Sequence, residues 1–197
     1  MRVIFGIGNP GSGYQLNRHN AGFLFLDQFA NDQKVFFQAS KASYYFAPGN
    51  LKGNEYILVK PTTFVNGSGI AAEQIINEYE LKLNDFLCVS DDVNLSSGEF
   101  RLRLAGGDGG HNGLKSIIYS IGSELFPRIR IGVSNNPVNK DLAEYVLENF
   151  SDDELGKIKN AFSDISLLVN EFIIGGSQNM LNMNSKLKSP PSQNDFN

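Results

Sequence analysis

The chain has no tryptophan, one cysteine and two histidines among its 197 residues. A lone cysteine, Cys88, excludes an internal disulfide and a zinc site built on thiolates. Within Phe86-Leu87-Cys88-Val89 it reads as a buried core thiol. With tryptophan absent, 15 phenylalanines supply bulk for a core. No apolar run reaches the roughly 18 residues of a membrane-spanning helix. Met1-Arg2-Val3-Ile4-Phe5-Gly6 enters a strand pattern at once and leaves no room for a signal peptide. A cytoplasmic protein with no membrane contact is expected. The two histidines stand far apart, without HxxxH or HExxH spacing, so no metal centre is expected.

What is present points to one packed domain, since this length suits one and is short for two. The net charge of −4 argues weakly against a polyanionic partner, yet it is unevenly spread. Residues 101–140 hold six basic side chains (Arg101, Arg103, Lys115, Arg128, Arg130, Lys140) against two acidic ones, Asp108 and Glu124. Phosphate responds to the local field, so a basic patch on an acidic protein can hold RNA. Clustered surface charge is also a common solvated face.

Periodicity gives alternating strands and helices. Arg2–Gly8 reads as a first strand, and apolar spacing from about Asn20 as a helix. Val35–Phe37, Ala42–Phe46 and Glu55–Val59 read as strands, with Pro48-Gly49-Asn50 as a turn. Ser68 is the expected N-cap of a helix carrying Ile70, Ala71, Ile75, Ile76 and Tyr79. Asp85–Ser90 is an apolar strand with Asp91-Asp92 at its end. Phe100–Leu104 and Arg128–Val133 are further strands, and Leu114–Ile121, Asp141–Asn149 and Asp152–Ile174 further helices. Residues 187–197 turn to Ser, Pro, Gln and Asn and are expected to form a disordered tail after a 1–186 domain. The expected architecture is α/β, a mixed twisted sheet flanked by helices on both faces. Ligands favour the C-terminal edges of such strands. Asn9–His19, Pro61–Asn66 and Asp91-Asp92 all fall there, so one crevice collects them.

Both histidines precede an asparagine and lie near glycine, in Arg18-His19-Asn20-Ala21-Gly22 and Gly109-Gly110-His111-Asn112-Gly113. Histidine exchanges protons near neutrality, asparagine orients a substrate without titrating, and glycine admits close backbone approach. Asp91 is the best available carboxylate to orient His19 as a base toward water. The same residue type suits a turn, and the sequence leaves both roles open. Gly106-Gly107-Asp108-Gly109-Gly110 suits backbone amides facing a phosphate or sugar, although Asp108 counts against a phosphate cradle. Gly6-x-Gly8-x-x-Gly11 matches a dinucleotide fingerprint, but its context fails: the loop is prolonged and the helix starts late.

Taken together, Gly8-Asn9-Pro10-Gly11, Tyr14, Arg18–Gly22, Pro61–Gly69, Asp91, Gly109–Lys115 and Arg128–Gly132 resemble the bacterial peptidyl-tRNA hydrolase family. Order and spacing match from residue 1 to about 184. The resemblance implies a monomeric single-domain enzyme. It would cleave the ester joining a peptide to the 3′ end of tRNA, without metal or cofactor. By position, His19 would be the general base, Asp91 its stabiliser, and Asn9 the sensor of the blocked amino end. Tyr14, Phe64, Asn66 and Asn112 would line the groove for peptide and terminal adenosine. Arg103 and Arg130 would hold an acceptor-stem phosphate. Four positions depart from the family pattern: Val65 for methionine, Arg103 for lysine, Asn94 for an acidic residue, and Asp108 for a small or basic one. An RNA-binding module on the same fold, without hydrolysis, is the alternative; the presence of both His19 and Asp91 favours the enzyme.

Overall fold

The computed structural model describes residues 1–135 and 141–189. Its strands are β1 (Arg2–Gly6), β2 (Gln38–Ala39), β3 (Tyr44–Leu51), β4 (Asn54–Pro61), β5 (Phe86–Ser96), β6 (Phe100–Arg103) and β7 (Arg128–Ser134). They form one mixed sheet in the order β2-β3-β4-β1-β5-β7-β6. β1 runs parallel to β4 and β5, and β5 parallel to β7, while β2, β3 and β6 pair antiparallel at the flanks. The described residues also form five α-helices, α1 (Ala21–Gln33), α2 (Ser68–Glu78), α3 (Asn112–Ile121), α4 (Leu142–Tyr145) and α5 (Asp152–Lys188), besides four short 3-10 turns. None is long and apolar enough to cross a membrane.

Alternation along the central strands fills a core on each face. Ile4, Leu58, Leu87 and Ile129 pack under α1 and α5. Val3, Phe5, Ile57, Val59, Phe86 and Cys88 pack under α2 and α3. The phenylalanines bind helix to helix: the Phe25 ring lies 5.8 Å from Phe29 and 5.5 Å from Phe162 of α5. Each such buried ring contributes about 1.5–3 kcal/mol. Burial also pushes the Cys88 thiol up to about 12, as befits an inert core residue. Toward the β7–β6 edge the second face changes character. Leu102, Ile129, Ile131 and Val133 face the first core, while Arg101, Arg103, Arg128 and Arg130 take the alternate positions.

Several expected boundaries move. The Val35–Phe37 segment is not a strand; pairing starts at Gln38. Pro48-Gly49-Asn50 lies inside β3, and the hairpin turns instead at Lys52 (φ 52°) and Gly53 (φ 84°), both left-handed as a type I′ turn requires. β2 pairs only with Tyr45 and Phe46, so at Pro48 the strand is an edge, where proline is tolerated. Ser68 is the first helical residue and is buried; Gly67 holds the cap position after a tight turn over Val65–Gly67. Asp91 is not at a strand end, because β5 continues along β7 to Ser96 with a register irregularity after Asp92.

The expected helix over 141–149 shortens to α4, because the following carbonyls are used elsewhere. His19 N–H donates to the Val146 carbonyl at 2.8 Å, and Arg18 N–H to that of Glu148 at 3.1 Å. α5 continues past Ile174 to Lys188 through a kink at Gly176 (φ 74°). The Arg2 guanidinium donates to the Ile173 carbonyl at that break. The helix thus passes the expected boundary at 187, and the rest of the 187–197 tail, from residue 190, lies outside the described residues.

Candidate active site

β5 outruns β1, and this step builds the site. β1 stops at Gly6, Ile7 N–H donates to the Val89 carbonyl at 2.9 Å, and the chain then leaves the sheet as the loop carrying Asn9. Asp91 and Asp92 therefore stand beyond the end of β1, paired only with β7. The start of α1 packs onto the same ledge. A Cβ on Gly22 would lie 2.4 Å from the Val89 carbonyl oxygen, so only glycine lets the helix sit there. The preceding turn, Arg18–Asn20, then delivers His19 to Asp91.

His19 Nδ1 lies 2.8 Å from Asp91 Oδ1, and His111 Nε2 lies 2.9 Å from the same oxygen. The two rings are 4.9 Å apart. His111 is the N-cap of α3, its Nδ1 accepting from the N–H groups of Gly113 (3.0 Å) and Leu114 (3.3 Å). An imidazole that accepts at Nδ1 carries its proton at Nε2, so His111 donates to Asp91. Asp91, with a 2% exposed side chain, thus takes two ring N–H donors on one oxygen. Burial alone would raise its pKa; the His19 charge and the hydrogen bonds from both rings hold it far below the usual carboxylate range. Burial alone would lower the pKa of His19; the Asp91 charge and hydrogen bond outweigh it, and the net direction is up. With Nδ1 donating, His19 Nε2 is the free lone pair, without a partner among the described residues.

The fold overturns the reasoning from histidine spacing, since ligand atoms of His19, Asp91 and His111 lie within 4.8 Å of one another. Donor chemistry still works against a cation there. The His111 Nδ1 lone pair is committed to two backbone amides, and its Nε2 bears a proton.

Asn9, Tyr14, His19, Phe64, Asn66 and Asn112 line one cavity of about 310 Å³, whereas Asp91 and Asp92, expected in the same crevice, line a different opening. A second opening of about 280 Å³ shares His19 and Asn112 and adds Asp91, His111 and Arg130. His19 stands between the two. Asn20 clamps the Asn9 backbone, accepting from its N–H at 2.8 Å and donating to its carbonyl at 3.0 Å. Asn9 Oδ1 accepts from the Val65 N–H at 2.9 Å, so its amide NH₂ is the part left to face the cavity. Tyr14 and Phe64 meet edge to face at 5.8 Å, with Phe64 59% exposed.

Arg130 and Arg103 are not brought together as a simple pair. Arg130 Nε lies 3.0 Å from Asp92 Oδ2, and its partner across the strands is Arg101. Arg103 is exposed, opposite the buried Arg128. Opposed residues of antiparallel strands share a face, so the four arginines form one stripe. Arg128 is held by the carbonyls of Phe126, Gly107 and Glu124, which ties the glycine loop to β7. Reading by residue type picked out His111 beside His19 but missed its role at Asp91. It also missed Arg18, Asn20 and Asp92, whose partners lie far away in sequence.

An oriented, partly desolvated imidazole beside neutral amide donors, with a cationic stripe at the cleft rim, is the equipment of a hydrolase acting next to an anionic chain. The sequence model of the peptidyl-tRNA hydrolase family matches residues 3–191, and the chain belongs to that family. It is 39% identical over 188 residues to the peptidyl-tRNA hydrolase of Thermotoga sp. (strain RQ2), covering 94% of this chain and 98% of the relative. It is 40% identical over 177 residues to that of Phytoplasma mali, covering 88% and 98%. Among solved structures, peptidyl-tRNA hydrolase from Acinetobacter baumannii superposes with a TM-score of 0.85 at 30% identity, covering 94% of this chain and 95% of that one.

Proposed function

We propose that the protein hydrolyses the ester between a peptide and the 3′ end of tRNA, through one domain that extends past the expected 1–186 to the end of α5 at Lys188. The observation that carries this reading is the 2.8 Å contact of His19 Nδ1 with Asp91 Oδ1, which leaves His19 Nε2 free at the junction of two cavities. A water between Nε2 and the ester carbonyl loses a proton to His19 as its oxygen bonds to the carbonyl carbon. The tetrahedral intermediate then expels the ribose oxygen, which takes that proton back. An ester needs less assistance than an amide, so one base and preorganised amide donors suffice. The Asn9 NH₂ would donate to the carbonyl of a blocked amino end, while Asn66 and Asn112 hold the peptide backbone whatever its side chains. Tyr14 and Phe64 offer an edge-to-face platform for an apolar side chain or the terminal adenine. Arg103 and Arg130, with Arg101 beside them, meet acceptor-stem phosphates without reading sequence. The base and orienter are side chains of this one chain, so the proposed site needs no second copy; the proposal is a monomer without metal or cofactor, working in the cytoplasm.

The test is release of free tRNA from N-acetylaminoacyl-tRNA, run beside unblocked aminoacyl-tRNA. Cleavage of the blocked substrate alone is expected, and His19→Ala should slow it by roughly 10²–10⁴. Retained tRNA binding with no cleavage by the unaltered protein would favour an RNA-binding module instead.

A further inference from the structure

Asn66 and Asn112 each have a second neighbour. Both also line a separate cavity of about 540 Å³, which His19 does not line and which Asp108, Lys115 and Tyr119 wall. That is within the range of small-ligand clefts, roughly 300–1,000 Å³. The hydrolytic chemistry uses none of these three residues. Lys115 and Tyr119 stand one turn apart on α3 and so share a face. The Tyr119 side chain supports no core, being 86% exposed. Asp108 is fixed in direction, because its Oδ1 accepts the Gly110 N–H at 2.6 Å. The cavity thus presents a ring, a cation and an oriented carboxylate, and shares Asn66 and Asn112 with the crevice.

We propose that this cavity is a nucleotide subsite for the cytidine that precedes the terminal adenosine of the tRNA 3′ strand. The inference rests on the peptidyl-tRNA reading of the crevice. Every tRNA ends in single-stranded CCA, so a terminal adenosine near His19 leaves a cytidine to seat within one nucleotide's reach. Single-stranded bases are held by stacking on aromatic rings and by hydrogen bonds at their Watson–Crick edges. Tyr119 supplies the stacking surface. The cytosine 4-amino group donates to the Asp108 carboxylate, the pairing expected of that base with an acidic side chain. Lys115 faces the adjoining phosphate. This gives Asp108 a purpose in a loop where a negative charge is otherwise out of place: it meets a base amino group, not a phosphate. Uracil carries a carbonyl where cytosine has the amino group, and the carboxylate repels it.

The experiment compares hydrolysis of N-acetylaminoacyl-tRNA carrying the native cytidine with a transcript carrying uridine at that position. Alongside it, calorimetry measures binding of the trinucleotides CpCpA and CpUpA. The unaltered protein should prefer cytidine in both assays, with Tyr119→Ala raising KM roughly tenfold. Asp108→Asn should erase the preference, since an amide can both accept from cytosine and donate to uracil. Equal affinity for CpCpA and CpUpA, or an unchanged KM in Tyr119→Ala, would overturn the subsite while leaving the esterase reading intact. A CpCpA preference without any ester cleavage would support the subsite and remove the esterase reading.

Discussion

At His19 the imidazole ring is short of water and close to a carboxylate, and the two conditions pull its pKa in opposite directions. The carboxylate prevails, so the free base appears only as pH climbs above the ordinary histidine value of 6.5. The acidic limb of kcat/KM should therefore have its midpoint above 6.5. Asp91→Asn keeps an acceptor for Nδ1 but removes the charge. Burial then acts alone, and the midpoint should move below 6.5 while the plateau falls. A midpoint that stays put in the Asp91→Asn profile would remove Asp91 as the tuning group. The stability linked to His19 runs the other way: it is fully present below 6.5 and lost as pH rises through the raised folded value. Residue type put His19 and Asp91 forward as a base and its orienter, although β5 does not end at Asp91 as the sequence suggested. His111 shows the same dipeptide, yet its work, capping α3 and donating to Asp91, depends on a backbone geometry that no local pattern announces.

The turn bearing His19 is anchored as an element. Arg18 is buried beside it, donating to both carboxylate oxygens of Glu154 at 3.0 and 3.1 Å and to Glu148 at 3.2 Å, with its guanidinium 4.2 Å from the Tyr145 ring centre. Burial alone would raise the Glu154 pKa; the Ser151 amide and Arg18 bring it below its ordinary value. Its stabilisation is therefore present above the unfolded carboxylate pKa and lost as pH falls through the folded one. Arg18→Met leaves Glu154 buried without its partner and should cost about 3–5 kcal/mol in denaturant unfolding at neutral pH. Arg18→Met with Glu154→Gln should recover much of that loss. If the double variant is no more stable than the single, the ion pair is not what the segment depends on. This anchoring also explains the misread helix at 141–149. Apolar periodicity continues there, but the Val146 and Glu148 carbonyls serve the backbone of His19 and Arg18, a tertiary demand invisible in the sequence. Pro48-Gly49-Asn50 misleads for a related reason: turn chemistry marks where a chain can bend, and the hairpin register decides where it does.

Across the whole molecule, charge and apolar pattern divide the sheet. Strands interleaved with helices announced an α/β fold covered on both faces, and the excess of positive charge over 101–140 announced a cationic edge. Lys140 of that segment lies outside the described residues. The sequence did not show that the arginines share one face of β6 and β7, because register is set by pairing. Nor did it show Asp92 against Arg130. Arg103→Ala with Arg130→Ala should weaken tRNA binding and reduce the slope of log affinity against log salt by roughly one unit for each phosphate no longer neutralised. An unchanged slope would assign phosphate binding to other side chains. One further consequence lies in the order of assembly. β1 leaves the ribosome before every other described element, yet its final neighbours are β4 and β5, and its Arg2 holds the kink in α5. The face carrying Ile4 is covered by Ile158, Phe162 and Phe172 from that last helix. Packing between segments so far apart in sequence forms late and slowly. The nascent chain therefore carries an uncovered apolar sheet face through most of its synthesis, and a stall before α5 would leave it exposed to aggregation.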